Sequence, residues 1–101
     1  MIARMWRGRV TREKKEAYVE YLKKTGLKDY AAAPGNRGVY LLAADRDGEV
    51  EFATLTFWDS LDAVKAFAGE AYTRARYYPE DKEFLTFFSP DVEHFEVIVS
   101  R

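Results

Sequence analysis

The segment from Val50 to Phe67 constrains the fold most, because its hydrophobic period changes once along its length. Residues 50–58 alternate between two sides, as in a β-strand, and β-branched and aromatic residues dominate. After Asp59, which can cap the N–H groups of a helix, the apolar residues recur at helical spacing. A strand that leads into a helix through one capping residue predicts an α/β corner, around which the rest of the chain packs.

Two strands and a helix are predicted before this corner, and one strand after it. Residues 1–10 alternate as a strand, and residues 12–25 have the spacing of a charged amphipathic helix. Residues 38–44 are a mostly apolar strand, and Asp47-Gly48 predicts a tight hairpin turn after it. The last strand is predicted at residues 92–99. Shorter helical pieces are expected at residues 27–33, residues 71–78 and from Pro79 onward.

This order of elements, β-α-β-β-α-β, is that of the ferredoxin-like split unit. It predicts an α+β fold in which an antiparallel four-stranded sheet carries its helices on one face. The chain has 101 residues, which is the size of one domain, so residues 1–101 are expected to form a single unit. What covers the other face of the sheet is then the main question.

The strand alternation sorts the sheet residues into two sets. The plainly apolar set is the expected seat of the helices: Ala3, Met5, Ala53, Leu55, Phe57, Phe95, Val97 and Val99. The opposite, mixed set is aromatic but also charged, and we expect a second copy of the chain to cover it, sheet against sheet. Its members predicted at the homodimer interface are Arg4, Trp6, Trp58 and Glu96. Arg4 and Glu96 are expected to form an ion pair, since buried charges need partners.

Composition excludes several classes of function. With 17 acidic and 16 basic residues the formal charge is -1, which argues against nucleic acid as a partner. The absence of cysteine excludes disulfides and thiolate catalysis, and a single histidine with scattered carboxylates gives no metal site. No apolar run approaches the ~20 residues of a membrane span. The first ten residues lack a signal-peptide core, so a cytoplasmic location is expected.

Two kinds of residue are candidates for chemistry. His94 is the only histidine, and it is interpreted either as a general base or as an interface residue paired with Glu96 or Arg4. Tyr77 is the second catalytic candidate, through its phenolic hydroxyl. The surplus of aromatic residues predicts either an ordinary core or an apolar cleft for a flat aromatic ligand. The residues proposed to bind such a substrate are Tyr40, Phe57, Phe67 and Tyr72.

Four segments carry a family resemblance: IARMWRG near the start, APGNRGVYLLAADRDGEVEFATLTFWDSLDAVKAFAGE, YYPED, and VEHFEVIV near the end. Together they resemble the antibiotic biosynthesis monooxygenase (ABM) family, within the dimeric α+β barrel superfamily. The resemblance implies a homodimer whose two sheets face one another as a barrel. Characterised members of the group include cofactor-independent oxygenases of aromatic polyketides and haem-degrading monooxygenases. In these proteins the ligand typically lies between the helices and the sheet of each monomer.

The resemblance implies a monooxygenase without a cofactor, acting on an aromatic or quinone-like small molecule. The alternative is a non-catalytic member of the superfamily that binds a small ligand or serves a structural role. Haem degradation is less well supported, because that branch has an asparagine on the first strand and a tryptophan and a histidine on the second helix. The corresponding positions hold Arg7, Phe67 and Tyr77, and none of them matches.

Overall fold

The computed structural model describes residues 1–101. Five strands and three α-helices follow one another along the chain. In order they are β1 (Ile2–Thr11), α1 (Lys15–Lys24), α2 (Gly26–Ala32), β2 (Asn36–Arg46), β3 (Glu49–Trp58), α3 (Leu61–Ala68), β4 (Leu85–Phe88) and β5 (Glu93–Glu96). Short 3₁₀ helices lie at Arg12–Lys14 and Pro79–Glu83. No helix is long and apolar enough to cross a membrane.

All strand pairs are antiparallel, and the sheet order is β2-β3-β1-β4. β5 also pairs with β1, but along its other half: β4 lies against Gly8–Val10 and β5 against Ile2–Met5. The two short strands therefore share the fourth position, and the sheet is four strands wide. This confirms the predicted ferredoxin-like α+β arrangement.

The corner between β3 and α3 forms as predicted, but one residue later. Ser60, not Asp59, is the N-cap, and its Oγ accepts a hydrogen bond from the N–H of Ala63 at 3.2 Å. Asp59 instead accepts a hydrogen bond from Nη2 of Arg37 at 3.1 Å. The carboxylate of Asp59, which the sequence analysis assigned to the helix cap, thus forms an ion pair with Arg37 at the start of β2 instead.

The chain after α3 differs from the prediction, because residues 71–78 are not helical. Gly69 ends α3 with a positive φ of 84°. The following backbone bonds to the segment between β4 and β5: the N–H of Ala75 donates to Pro90 O at 2.9 Å, and the N–H of Val92 donates to Thr73 O at 2.7 Å. These bonds replace the ones a helix would have made.

The two faces of the sheet are assigned the wrong way round by the sequence. Trp6 and Trp58 are buried within the chain itself, so neither awaits a partner subunit. The reason is aromatic packing: the rings of Tyr18 and Phe52 have centroids 5.3 Å apart, and those of Trp58 and Phe67 are 5.1 Å apart. The helices therefore cover the mixed set, here called the inner face. The core consists of Trp6, Val10, Tyr18, Leu22, Val50, Phe52 and Val92.

Polar residues of the inner face mostly find partners within the chain. Nε1 of Trp58 donates to Oγ1 of Thr56 at 2.8 Å, and that hydroxyl lies 3.4 Å from the carbonyl oxygen of Arg4. The predicted ion pair of Arg4 with Glu96 is wrong. Arg4 is buried without any carboxylate oxygen within 4.0 Å, whereas Glu96 is exposed at the edge of the sheet.

The opposite, open face of the sheet carries the apolar set. Tyr40, Leu42 and Phe95 are exposed there, with Met5, Leu55 and Phe57 partly covered. The other end of the open face is charged, and Glu51 lies 3.4 Å from Arg46 and 3.7 Å from Arg9. The open face therefore combines an exposed apolar area with a charged end.

Gly8 leaves room for the ring of Trp6 on the inner face. A Cβ at Gly8 would lie 2.4 Å from Cη2 of Trp6, which is closer than atoms can approach. We therefore expect Gly8→Ala to lower the free energy of unfolding by about 1–3 kcal/mol through overpacking. Chemical denaturation measures the change. Gly26→Ala is the control, because its Cβ would meet nothing nearer than Tyr30 at 4.0 Å. An unchanged midpoint for Gly8→Ala would show that the Trp6 ring does not hold this position.

Candidate functional site

A cavity of about 360 Å³ lies between the helices and the inner face of the sheet. Ten of its 17 lining residues are hydrophobic, six of them aromatic, and the lining comes from β1, α1, α2, β3, α3, the segment that ends in the Pro79–Glu83 turn, and Val92. The aromatic lining consists of Trp6, Tyr18, Tyr30, Phe67, Tyr77 and Tyr78. A cavity of this volume and composition suits a small ring-shaped ligand.

Tyr77 is the best-fixed polar group of the cavity. Its hydroxyl accepts a hydrogen bond from Nε1 of Trp6 at 2.7 Å and donates one to the carbonyl of Ser89. Burial raises the pKa of Tyr77, so the hydroxyl stays protonated at neutral pH. With its proton committed to Ser89, this hydroxyl can offer a ligand only a lone pair.

Arg4 also lines the cavity, and it is 4% exposed. Nη1 lies 3.4 Å from the hydroxyl of Tyr30 and Nη2 lies 3.4 Å from the carbonyl oxygen of Tyr72, while Nε has no partner. Both contacts are long for hydrogen bonds. The guanidinium is thus a buried cation whose donors are poorly satisfied and whose charge no carboxylate balances.

His94 faces Arg4 across β5 and β1, on the inner side of the sheet. Its ring meets that of Tyr72 edge-on at 5.2 Å, and its buried Nε2 has no hydrogen-bond partner. Burial, and then the charge of Arg4, lower the pKa of His94, so the imidazole is neutral at pH 7 and can accept a proton. His94 itself does not line the cavity.

The rim of the cavity is acidic. The carboxylate of Asp81 is buried and accepts a hydrogen bond from the N–H of Tyr78 at 2.7 Å, and burial raises its pKa. The hydroxyl of Tyr78 donates to Asp29, which raises the pKa of that phenol to about 12. The bond between Tyr78 and Asp29 attaches the start of the Pro79–Glu83 turn to α2 across one side of the cavity.

The structure brings together only part of the predicted site. Phe67 and Tyr77 line the cavity, whereas Tyr72 does not: its carbonyl oxygen lies 3.4 Å from Arg4, and its ring contacts His94. Tyr40 and Phe57 lie on the open face, where their rings meet edge-on at 6.0 Å, so the sheet separates both from the cavity. The prediction that they join Phe67 in one cleft is wrong, because it rests on the inverted assignment of the two faces.

Sequence reasoning also misses residues of the cavity. Arg4 and Trp6 are predicted at a dimer interface but line the cavity, and Tyr18, Tyr30 and Asp81 are not singled out at all. A signal for Tyr18 does exist: it is four residues from Leu22 on one side of the predicted first helix. No comparable spacing identifies Tyr30 or Asp81.

The donor groups do not fit a histidine-ligated haem or a metal. No group of three or more His, Asp or Glu residues is placed to hold a metal ion. Arg7, at the position of the asparagine in haem-degrading relatives, lies on the open face beside Glu93. The hydroxyl of Tyr77 is already bonded to Trp6 and Ser89, and no histidine lines the cavity.

The fold and the cavity define the class of protein: a small ferredoxin-like α+β domain with a cavity between its helices and its sheet. The sequence model of the antibiotic biosynthesis monooxygenase family matches residues 1–76. The chain belongs to this family. No protein of curated function shows significant similarity to it.

Solved structures agree on the fold. One from Bacillus cereus, named for antibiotic biosynthesis monooxygenase, has a TM-score of 0.68 at 17% identity, covering 99% of this chain and 93% of that chain. A Nitrosomonas europaea protein of the same name has a TM-score of 0.67 at 16% identity, covering 98% and 100%. The haem degrader MhuD from Mycobacterium tuberculosis, with two haems bound in its active site, has a TM-score of 0.62 at 21% identity, covering 100% and 99%.

The hydroxyl of Tyr77 links three parts of the chain, so its removal should be measurable as lost stability. In Tyr77→Phe the indole N–H of Trp6 and the carbonyl of Ser89 both lose a partner. We expect the free energy of unfolding to fall by about 1–3 kcal/mol, the cost of unsatisfied buried groups. Urea denaturation followed by tryptophan fluorescence measures this. Tyr40→Phe, whose ring lies on the open face, is the matched control and should change little.

Proposed function

We propose that the chain is a monooxygenase of the antibiotic biosynthesis monooxygenase type, acting on an aromatic or quinone-like small molecule with molecular oxygen and no organic cofactor. The observation that carries the proposal is the cavity itself, with its aromatic walls and the fixed hydroxyl of Tyr77. Family membership supports the reaction class, and the residues around the cavity support the absence of a histidine-ligated haem.

The reaction needs a substrate that can itself give electrons to oxygen. An anthrone is an example: removal of a proton from its ring CH₂ gives an electron-rich anion. Oxygen attacks that carbon, one oxygen atom stays there as the new carbonyl, and the other leaves as water with the two hydrogens of the CH₂. In this scheme the protein has to bind the ring, exclude bulk water and remove the first proton.

His94 is the proposed base and Tyr77 the proposed positioning group. His94 is neutral at pH 7, has an unpartnered Nε2 and lies on the inner side of the sheet beside Arg4, so it would take the substrate proton through one intervening water. Tyr77 keeps its proton, so it orients the substrate as a hydrogen-bond acceptor and takes no proton from it. Phe67 provides an apolar wall for the ring.

Oxygen uptake with a panel of anthrones and hydroquinones tests the activity. A base must be deprotonated, and the pKa of His94 is lowered, so we expect kcat/KM to rise with pH along a limb centred below pH 6.5 and to be level above it. His94→Ala should remove that limb and lower kcat by roughly 10²–10⁴-fold, the usual contribution of a general base. Tyr77→Phe should act mainly on KM. Equal rates for wild type and both variants would remove both residues from the mechanism.

A binding protein without turnover is the second candidate, and one observation favours it. His94 does not line the cavity, so the proposed base does not touch the space that a ligand would occupy. Binding of ring compounds without any oxygen uptake would support this candidate against the oxygenase.

The functional unit is proposed to be a homodimer, joined through the open faces of two sheets. The exposed apolar residues of that face support this, including Tyr40 at 55% and Phe95 at 48% exposure. The interface is then the plainly apolar set, and Phe57 and Tyr40 belong to it. Arg4, Trp6 and Trp58 have no part in it, because the chain's own helices cover them.

A charge placed on the open face should separate the subunits. We expect wild type to have the mass of a dimer in light scattering at micromolar concentration, and Leu42→Glu to have the mass of a monomer, because the added carboxylate would be buried unpaired. Ala31→Glu, on the exposed side of α2, is the control and should stay dimeric. A monomeric wild type would contradict the proposed interface.

A further inference from the structure

We propose that the cavity selects ligands that carry an oxyanion on a planar ring, a carboxylate or an aryl oxide, and that Arg4 is the counter-charge. The inference deepens the proposed function by naming the substrate class. Its basis is the charge and geometry of Arg4, and it does not require that the ligand be turned over.

The first step is the imbalance of charge at Arg4. The side chain is 96% withdrawn from solvent by the chain itself, yet no carboxylate oxygen lies within 4.0 Å of it. Removing a guanidinium from water without an opposite charge is costly. The arginines that do have a carboxylate partner all lie at the surface, each with a side chain at least 30% exposed. A buried cation that the chain leaves unbalanced is set up for a partner from outside.

The second step is the state of its donors. The two hydrogen bonds of Arg4, to the hydroxyl of Tyr30 and the carbonyl of Tyr72, are both 3.4 Å long. Nε makes none. Bonds of that length are weak, so an oxyanion could replace them at little loss, and a guanidinium fork can donate to the two oxygens of a carboxylate side by side.

The third step is the surroundings. Asp29, Asp81 and Arg76 also line the cavity, but Asp29 is engaged with the hydroxyl of Tyr78, Asp81 with the N–H of Tyr78, and Arg76 is exposed, so Arg4 is the buried cation of the lining. The pKa of His94, which faces Arg4 from β5, is lowered by burial and then by the charge of Arg4, so its imidazole is uncharged at pH 7. Near Arg4 the walls are aromatic, from Trp6, Tyr30 and Phe67. A flat ring that bears a negative oxygen satisfies both features at once.

Matched pairs of ring compounds test the selection. For the carboxylate source the pair is 2-naphthoate and neutral 2-naphthamide; for the aryl-oxide source it is 4-nitrophenolate at pH 8 and neutral 4-nitroanisole. Equilibrium dialysis gives the dissociation constants. We expect the oxyanion of at least one pair to bind wild type tenfold or more tightly than its neutral partner, and the pair that shows this identifies the source.

Variants assign the preference to Arg4. Arg4→Met should reduce the ratio within that pair to less than twofold, and Arg4→Lys should keep part of it. Arg74→Met is the matched control, because Arg74 is exposed on the neighbouring segment and does not line the cavity, so its ratio should equal that of wild type. Equal affinities within both pairs in wild type, or failure of both oxyanions to bind, would overturn the proposal.

Thermal denaturation separates a binding role from a structural one. If Arg4 serves a ligand, Arg4→Met removes an unbalanced buried charge, and Tm should stay equal or rise. If Arg4 serves the fold, Tm of Arg4→Met falls and the oxyanion-to-neutral affinity ratio of Arg4→Lys equals that of wild type. That result would contradict the proposal. Oxygen uptake keeps the two proposals distinct. Selective binding without oxygen uptake would support the charge selection and contradict the oxygenase proposal. Oxygen uptake with neutral substrates and no selectivity would support the oxygenase and contradict the charge selection.

Discussion

The structure depends on aromatic packing between the inner face of the sheet and the helices. The ring of Trp58 contacts both Tyr30 of α2 and Phe67 of α3, while Tyr18 of α1 packs on Phe52. These contacts fix three helices to one central strand, β3, and large rings at wide spacing do not close every gap between them. The cavity is the space that remains. Four of the seven core residues also line the candidate site: Trp6, Tyr18, Leu22 and Val92.

The order of elements and the hairpin could be predicted from the sequence, because both depend on local signals. Asp47 and Gly48 both have a positive φ, of 51° and 82°, as the turn requires. The strand alternation also sorted the residues into the correct two sets. Short elements could not be predicted in this way. The strand β4 has only four residues at the sheet edge, so its alternation is too short to detect.

The assignment of the two sets to the two faces could not be predicted from polarity. Polar residues such as Arg4 and Thr56 suggested a face outside the monomer core, yet a threonine hydroxyl bonded to an indole N–H is satisfied inside it. Ring size, not polarity, decided the face, since the helices carry aromatic residues that need large partners. The same error affected the predicted site. Trp6 was predicted at the interface but lines the cavity, and Phe57 was predicted in the cavity but lies on the open face.

The division of the fourth strand into β4 and β5 has a mechanical effect on the cavity. The segment between them, residues 89–92, receives bonds from Tyr77 and Ala75 and gives one to Thr73. The wall of the cavity that contains Tyr77 is therefore hydrogen-bonded to the segment between β4 and β5, whereas other parts of the wall belong to the helices. A guest that pushes α1 outward would leave the hydrogen bonds of Tyr77 to Trp6 and Ser89 in place, so the half of this binding chamber that holds the phenol does not depend on α1.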